Sequence, residues 1–473
     1  MSQPSSHAPS SHTSTLMVGV SGIRGIVGES LTADVAMQFV QAYAAYLQNK
    51  TERPRVLVAR DTRPTGETIH HLVLGALLSS GCDVIDLGIV TTPTLQLAVP
   101  FHNAQGAICI TASHNPIEWN ALKFFQPSGM YLDKAQGSEV IKLYQTKEFR
   151  SVGWQQIGRV QTDNEANARH IEAVFKLVDV ELIRSKKFHV VLDGCNGAGN
   201  VISPRVLDAL GCKVTRINEK LDGHFTHNPE PLNENMVELM AEVKRVGADV
   251  GFAHDADADR VAIVTNEGEP CGEDFSLVWA VAHVLKNRCQ GPVVTNLSTT
   301  MAIDTVANQY GCEVVRTPVG DINVSTRMRD IGAVIGGEGN GGVIIPEVQF
   351  GRDGIAAIAL TLEFLAKEGK TAQEIHQSLP RYFNIKSTIQ FPRERISSLF
   401  TWLKSKEKTA RINEDDGLKF EWPKEGATQS WVHIRPSGTE PFVRVICEAQ
   451  TTDEAKRIQK TMREEIESLS TAW

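Results

Sequence analysis

The chain has 473 residues, of which 41% are hydrophobic, 22% charged and 6% aromatic, which is typical of a globular protein of about three or four domains. Its net charge of −8 offers no attraction to nucleic acid or to an anionic membrane, so we expect neither as a partner. No apolar run in the sequence approaches the ~18 residues of a membrane span.

Residues 1–15 are rich in Ser, Pro, His and Thr, and they lack the basic start and apolar core of a signal peptide. We expect them to form a disordered tail. The eight cysteines are scattered, with no C-x-x-C pair and no metal-ligand spacing, which is typical of reduced thiols in a cytoplasmic protein.

The glycine-rich segment of residues 19–28 contains Arg24, and its glycines would let the backbone approach a ligand closely. A simple irregular turn explains the same composition. Both interpretations stay open from the residues alone.

A strand, helix, glycine, strand pattern occurs three times, at the Gly-Cys pairs of residues 81–82, 211–212 and 311–312. Each pair follows a helix-like segment and opens an apolar run, and a further apolar run precedes each helix. Glycine commonly ends a helix in the left-handed conformation, and such a unit implies parallel strands with a right-handed crossover. We therefore predict three related α/β domains with mixed sheets.

Residues 108–116 form a short apolar strand that leads into a polar turn with Ser113 and His114 side by side. Pro116 biases Asn115 away from helix, so a tight loop can present Ser113. A turn made only of turn-forming residues is the alternative. A Ser-His-Asp triad is disfavoured, because neighbouring side chains on an extended loop point apart and the G-x-S-x-G motif is missing.

Lys123 lies between apolar neighbours, where a partly buried lysine could be tuned for proton transfer. A lysine that keeps its charged end in water fits the position equally well. Residues 193–199, Asp-Gly-Cys-Asn-Gly-Ala-Gly, lie between a predicted strand and helix and leave a nucleotide-binding interpretation open.

The acidic run carries Asp255, Asp257 and Asp259 on alternate positions at a strand end. On a strand or an extended loop these side chains point to one side, so their oxygens can converge on a hard cation such as Mg²⁺. A solvated acidic loop is the alternative. An EF-hand is excluded, because Arg260 and Asn266 stand where its Gly and Glu are needed. Since Mg²⁺ usually also binds a phosphate or water, we expect a phosphate-handling group elsewhere.

Residues 336–342, Gly-Gly-Glu-Gly-Asn-Gly-Gly, offer only Glu338 and Asn340 as side chains, a carboxylate and an amide suited to sugar hydroxyls. A dinucleotide-binding fingerprint is excluded, because residues 343–345 predict a strand where that motif needs a helix.

The last part of the chain predicts consecutive strands flanked by two helices, which is typical of an α+β domain. Residues 435–441, Arg-Pro-Ser-Gly-Thr-Glu-Pro, form a loop between two of these strands. Its basic residue, hydroxyls and glycine could hold a dianionic phosphate, although a hairpin loop without a ligand is the alternative. Polarity changes place the domains at residues 16–158, 159–268, 269–382 and 383–473, packed closely around a central cleft.

Taken together, the Ser113 loop, the acidic run, residues 337–342 and residues 435–439 resemble the α-D-phosphohexomutase family, with one motif in each domain and in the family's order. The resemblance covers the chain after the tail and implies three similar α/β domains plus an α+β domain. It also implies a hexose phosphate substrate, a phosphoserine enzyme and a bisphosphate intermediate.

By this resemblance, Ser113 is the phosphoserine and its phosphate completes a Mg²⁺ site with Asp255, Asp257 and Asp259. Arg24, His114 and Lys123 assist at the reacting end. The substrate-binding residues that it implies are Arg260, Glu338, Asn340, Arg435, Ser437, Gly438 and Thr439.

Two departures bear on the sugar. Many relatives end the sugar loop with Ser-Gly-His, where this chain has Asn340, Gly341 and Gly342. The pair Gly320 and Asp321 resembles phosphoglucosamine mutases, and residues 337–342 resemble the archaeal type. We therefore expect phosphoglucosamine mutase or broad phosphohexomutase activity.

Three alternatives to that activity remain. The chain could prefer mannose or glucose phosphates, as phosphomannomutases and phosphoglucomutases do. It could bind sugar phosphates or nucleotides on the same scaffold without catalysis. A hydrolase would need a water positioned for attack, and no residue pattern indicates one.

Overall fold

Four β-sheets follow one another along the chain in this computed structural model, which describes residues 16–424, 427–436 and 441–471. The first three sheets are mixed and the fourth is antiparallel. The predicted fold class, three related α/β domains followed by an α+β domain, is thereby confirmed. The expected tail of residues 1–15 lies outside the described residues.

The first sheet has seven strands in the order β1-β2-β6-β5-β3-β4-β7. Its strands are β1 (Met17–Gly19), β2 (Gly22–Ile26), β3 (Arg55–Arg60), β4 (Asp83–Ile89), β5 (Gly106–Ile110), β6 (Trp119–Phe125) and β7 (Val160–Thr162). The accompanying helices are α1 (Ala33–Gln48), α2 (Gly66–Ser79), α3 (Thr92–Phe101) and α4 (Lys134–Thr146).

The second and third sheets have four strands each, in the orders β11-β10-β8-β9 and β13-β12-β14-β15. The second domain contains α5 (Ala166–Leu177), α6 (Val180–Lys186), β8 (His189–Asp193), α7 (Gly199–Ala209), β9 (Lys213–Ile217), α8 (Val237–Val246), β10 (Val250–His254) and β11 (Val261–Thr265). The third contains α9 (Phe275–Asn287), β12 (Val293–Asn296), α10 (Ala302–Gln309), β13 (Val314–Thr317), α11 (Asp321–Ile331), β14 (Ile335–Glu338), β15 (Gly342–Ile344), α12 (Gly354–Glu368) and α13 (Ala372–Ser378).

The predicted repeat extends beyond the three Gly-Cys pairs. In each domain the first strand of the repeat (β3, β8 or β12) lies between two parallel partners, and an antiparallel strand (β6, β11 or β15) follows the second partner. The helix between the first two strands ends in each case at a glycine with positive φ, namely Gly81 (+87°), Gly211 (+73°) and Gly311 (+66°).

The fourth sheet has the order β16-β20-β19-β18-β17 and carries two helices on one face. Its elements are β16 (Phe383–Gln390), α14 (Ile396–Lys406), β17 (Arg411–Asn413), β18 (Leu418–Lys424), β19 (Ala427–Pro436), β20 (Phe442–Ala449) and α15 (Thr452–Thr471). The three-residue strand β17 escaped sequence analysis, because its pattern is too short to show a period.

The second and third domains share one hydrophobic core, in which α9 and α12 pack between their sheets. The first and fourth domains have cores of their own. Smaller apolar contacts join them to the other domains, since Met301 packs with Trp431 and Ile446, and Ala166 packs in a second cluster of the first domain. Domain boundaries stay predictions, and β7 at residues 160–162 belongs to the first sheet.

In the described part of the chain, no helix combines the length and the apolar character that crossing a membrane requires. All eight cysteines are free, and six of them are buried. Cys312 belongs to the shared core, and Cys212 packs against it.

Candidate active site

Three loops with candidate site residues occupy the same position of the repeat, between the second parallel partner and the antiparallel strand. Ser113 lies between β5 and β6, the acidic run between β10 and β11, and Asn340 between β14 and β15. The loops meet, since Ser113 Oγ donates to Asp255 Oδ2 at 2.8 Å and Val261 N donates to Gly341 O at 3.0 Å. The repeat itself thus brings the three motifs together.

The acidic loop collects its carboxylates through a turn. One oxygen each of Asp255, Asp257 and Asp259 lies within 4.8 Å of the others, and all three residues are buried. The expected extended conformation is wrong, because the loop turns tightly and Ala258 has a φ of +54°. The convergence that the sequence predicted is present, but a different backbone geometry produces it.

Ser113 adopts the left-handed conformation, with a φ of +51°. This rare geometry turns Oγ toward the acidic loop and leaves it 3.3 Å from His114 Nδ1. The expectation that the Ser113 and His114 side chains point apart is therefore wrong. Ser113 is 2% exposed, so its hydroxyl is held in a nearly dry position.

Arg63, which sequence analysis missed, holds the serine loop in place. Its buried guanidinium donates to the carbonyl oxygens of Ser113 and Asn115, at 2.7 Å each, and to those of Pro116 (2.6 Å) and Trp119 (3.1 Å). A loop backbone that cannot pair within a sheet needs such donors. No local pattern around residue 63 could have shown this role.

Lys123 lies on β6 and is paired with the acidic loop. Its Nζ donates to Asp257 Oδ2 at 2.7 Å and lies 3.9 Å from Asp259 Oδ2, and Thr92 Oγ1 also donates to Asp257 Oδ2 at 2.6 Å. Burial opposes the charge on Lys123, but Asp257, Tyr131 and Asp259 together outweigh burial and raise the lysine pKa. Lys123 is therefore a fixed cation here, and its tuning for proton uptake is not supported.

The acidic loop has the electrostatics of a cation site. Burial, Asp259 and Asp257 together raise the pKa of Asp255. Burial also acts to raise the pKa of Asp257, but Lys123, Thr92 and Arg352 together outweigh burial, so the pKa of Asp257 is lowered. Asp257 Oδ1 and Asp259 Oδ1 are buried and lack a hydrogen-bond partner among the described residues. Buried carboxylate oxygens without partners fit a hard divalent cation, which would satisfy them.

Cationic groups surround the Ser113 hydroxyl. Burial, together with Arg260, Arg24 and other nearby cations, lowers the pKa of His114 to about 2, so this imidazole is neutral. Arg24 lies on β2 and donates to Asn115 Oδ1 at 2.5 Å. The glycines beside Arg24 serve strand packing, since a Cβ on Gly22 would lie 1.9 Å from a carbonyl oxygen of β6.

A cavity of about 500 Å³ opens beside these groups and is lined by residues of all four domains, as the predicted central cleft requires. Glu338 and Asn340 both line it. Glu338 Oε1 accepts from Asn296 Nδ2 (2.9 Å) and Gly320 N (3.0 Å), while Arg352 Nη1 lies 3.2 Å from Oε2. The Glu338 carboxylate is therefore fixed at the cavity wall.

The opposite wall belongs to the fourth domain. Arg435 and Arg444 are cross-strand neighbours on β19 and β20, and both line the cavity with Lys386 of β16. Arg435 Nε lies 2.8 Å from Asp416 Oδ2, which also accepts from Val319 N of the third domain. The remaining predicted residues of this loop, Ser437, Gly438 and Thr439, lie outside the described residues.

The glycine-rich loop of residues 194–199 packs against the acidic loop. Ala198 N donates to Ala256 O at 2.8 Å, and a Cβ on Gly197 would lie 2.6 Å from that oxygen. Protein fills the space that a nucleotide phosphate would need, so these glycines provide close packing. Arg352, which contacts Glu338, was also missed by sequence analysis.

Four descriptions of "Phosphoglucomutase/phosphomannomutase" domains match the chain in order: alpha/beta/alpha domain I at residues 15–151, domain II at 168–268, domain III at 273–383 and the C-terminal domain at 385–465. A "Phosphoglucomutase/phosphomannomutase" of Thermococcus kodakarensis is 38% identical over 444 residues, covering 93% of this chain and 96% of its own. A "Probable phosphoglucosamine mutase" of Methanopyrus kandleri is 36% identical over 444 residues, covering 93% and 95%. The crystal structure of a "Phosphoglucomutase/phosphomannomutase family protein" from Burkholderia thailandensis matches with a TM-score of 0.82 at 26% identity, covering 96% of this chain and 98% of its own.

Proposed function

We propose that this chain, which belongs to the phosphoglucomutase/phosphomannomutase family of α-D-phosphohexomutases, interconverts a hexose 6-phosphate and a hexose 1-phosphate through a phosphoserine at Ser113 and a hexose bisphosphate. Similarity to these relatives identifies the chain as a phosphohexomutase, an isomerase that moves a phosphoryl group between two positions of a hexose.

The observation that carries the proposal is that one cavity has two ends suited to anions. At one end His114 and Arg260 line the cavity beside Ser113, whose Oγ contacts the acidic loop. At the other end Arg435 and Arg444 lie directly opposite each other on two neighbouring strands. Like charges in that position destabilise a sheet unless anions balance them, and among the described residues Asp416 pairs with Arg435 alone of the two. A hexose bisphosphate needs both ends at once, whereas a simple nucleophilic hydrolase needs only the first.

The acidic loop would hold Mg²⁺ through Asp255, Asp257 and Asp259, with an oxygen of phosphorylated Ser113 as a further ligand. Bound there, the cation would lower the free-energy cost of negative charge on the transferring phosphoryl group. Lys123 and Arg260 would add fixed positive charge around the same group. Neutral His114 is suited to hold a proton at Nδ1 beside the serine oxygen as the bond between Oγ and phosphorus breaks.

The other end would hold the phosphate that is not reacting. Arg435 and Arg444 supply charge from the described residues, and the proposal adds Ser437, Gly438 and Thr439 as hydroxyl and backbone donors. Glu338 and Asn340 would bind sugar hydroxyls between the two ends. A bisphosphate that turns over in the cavity would then return its other phosphate to Ser113.

A 2-amino-hexose is the substrate we favour, because a relative that is 36% identical is named a probable phosphoglucosamine mutase. The carboxylates of Glu230 and Glu273 also line the cavity, but they are paired with Arg260 and Lys386. The pair Gly320 and Asp321, which resembles phosphoglucosamine mutases, supports the same sugar. Mannose and glucose phosphates are the alternative, and coupled assays that compare glucosamine 6-phosphate with the mannose and glucose phosphates distinguish them. Mg²⁺ as the cation and a cytoplasmic location also remain proposals.

The test of the mechanism is intact-mass analysis of purified protein combined with a mutase assay. We expect one phosphate per chain on the wild type, lost on incubation with excess hexose phosphate, and no phosphate and no activity in Ser113→Ala. Ser138→Ala, which removes an exposed serine of the same domain, is the matched control and should behave as the wild type. Full mutase activity in Ser113→Ala would falsify the phosphoserine, and a wild type without any mutase activity would favour a sugar-phosphate-binding protein.

A further inference from the structure

The guanidinium of Arg352 lies among three carboxylates from a loop, a strand end and a helix start. Nη2 donates to Asp259 Oδ2 at 2.5 Å, Nη1 donates to Glu338 Oε2 at 3.2 Å, and Nε lies 3.0 Å from Asp321 Oδ2. The Arg352 side chain is 9% exposed, so these ion pairs are nearly free of solvent. None of the motifs identified in the sequence includes this residue.

Each of these three partners belongs to a different part of the site. Asp259 lies on the acidic loop of the second domain, Glu338 ends β14 at the sugar loop, and Asp321 begins α11. Arg352 itself is held by a bridge to Ile344 of β15, immediately before α12. Among the described residues, Arg352 is therefore the side chain that contacts both the acidic loop and Glu338 directly.

Gly342 provides the space through which Arg352 passes. A Cβ on Gly342 would lie 2.3 Å from Arg352 Cδ, and the Gly342 backbone is not in the left-handed region that itself favours glycine. The glycine is therefore required by the arginine side chain and not by its own backbone. Gly342 and Arg352 form a matched pair, although ten residues separate them in the sequence.

We infer that Arg352 is a positioning residue that sets Glu338 against the carboxylate of Asp259, so that sugar binding and cation binding depend on one another. This inference rests on the proposed function, because it assigns the two sites that are coupled. A guanidinium can serve three partners because its donors form a rigid fork, whereas lysine offers a single compact charge. Positioning Glu338 and Asp259 therefore requires the geometry of the guanidinium donors as well as their positive charge.

Arg352→Ala and Arg352→Lys test the inference by two direct binding measurements. The first is the Kd, by calorimetry, of the hexose 6-phosphate that the wild type binds most tightly among the glucosamine, mannose and glucose forms. The second is the Mg²⁺ concentration that gives half of the maximal rise in Tm. In Arg352→Ala we expect the Kd to increase at least tenfold and the Mg²⁺ concentration at least threefold.

The direction of the Mg²⁺ effect separates positioning from charge. Loss of a nearby cation alone would let Mg²⁺ bind at a lower concentration, so an increase reports lost orientation of Asp259. A decrease, or unchanged values in both measurements, overturns the inference. Arg352→Lys should stay within threefold of Arg352→Ala, and restoration of wild-type values by lysine would show that charge is sufficient.

Gly342→Ala displaces the arginine without removing it and provides an independent test. We expect it to weaken hexose phosphate binding as Arg352→Ala does, and the double variant to be no weaker than Arg352→Ala, because the added methyl group then has space. Additive losses in the double variant contradict the inference. The matched control is Arg288→Ala, which removes a partly buried, ion-paired arginine away from the cavity and should leave both values unchanged.

The two proposals fail in different ways. A wild type that lacks mutase activity counts against the proposed function, while the Mg²⁺ measurement still tests Arg352. An active wild type in which Arg352→Ala changes neither binding value counts against the inference alone.

Discussion

The two ends of the cavity are built in opposite ways. At the reacting end, Ser113 and the three aspartates are at most 2% exposed, and each contacts a partner from another part of the chain. At the far end, the side chain of Arg435 is 23% exposed and that of Lys386 is 45% exposed. The fourth domain that carries them has a separate hydrophobic core.

This difference shows what each end must do. A transferring phosphoryl group needs donors and charges fixed in advance, and burial strengthens their interaction with it. A bisphosphate that reorients must release the phosphate site at the far end and then bind it again with its other phosphate. Partly exposed cations on a domain with its own core are suited to this rebinding. Substitutions at the two ends should therefore have effects of different kinds.

The largest effect is expected for Asp257→Asn. Asp257 contacts Lys123 and Thr92 and contributes to the proposed cation site, so the amide should lower kcat about 10⁴-fold, roughly 5 kcal/mol. Steady-state assays over a range of Mg²⁺ concentrations measure the loss. Asp208→Asn, on the exposed surface of the same domain, is the control, and equal activities of the two variants would contradict a role in the reaction.

Arg63→Met should cause the largest loss of stability among these variants. It leaves the carbonyl oxygens of the serine loop without donors and the buried carboxylate of Asp61 without its cation, so we expect a loss of about 4 kcal/mol in the free energy of unfolding. Urea unfolding measures it. The control Arg53→Met removes an exposed pair with Asp83 and should leave the urea midpoint close to that of the wild type. Similar midpoints for both variants would show that the serine loop does not depend on Arg63.

The same contrast explains how much of the site could be predicted from sequence. Asp255, Ser113 and Glu338 lie in short motifs whose composition indicates their chemistry, and a repeated strand, helix and glycine pattern predicted the domains that carry them. The backbone at Ser113 was not predictable in this way. Its left-handed geometry depends on four carbonyl contacts with Arg63, a residue 50 positions away.

Single residues with distant partners account for the rest. Arg352, Arg63 and Asp416 have no motif around them, and their roles follow from contacts across 93, 50 and 97 positions of the chain. Sequence patterns report local periodicity and turn chemistry, so they identify the groups that react. Sequence patterns do not identify the residues that position the reacting groups.

Arg435→Ala should affect the far end and change binding more than turnover. Removing one of two facing arginines weakens the grip on the phosphate, so we expect KM to rise about 30-fold, roughly 2 kcal/mol, with kcat reduced less than KM is raised. Steady-state kinetics with the preferred hexose phosphate measures the division. Arg463→Ala, on the solvent-facing side of α15, is the control. A loss confined to kcat would contradict the assignment of Arg435 to the phosphate that is not reacting.

The smallest effect concerns the attachment of the fourth domain. His433 joins Ser298 Oγ (2.9 Å) to Asp416 O (2.6 Å), and burial lowers its pKa from 6.5 to about 4. A depressed histidine pKa favours the neutral form in the folded state, so its contribution is fully present above pH 6.5 and is lost as the pH falls toward 4. Over that range the free energy of unfolding of the wild type should fall by at least about 1 kcal/mol more than that of His433→Gln, which cannot be protonated. Parallel stability profiles for the two proteins between pH 7 and pH 4 would show that this histidine does not link the two domains.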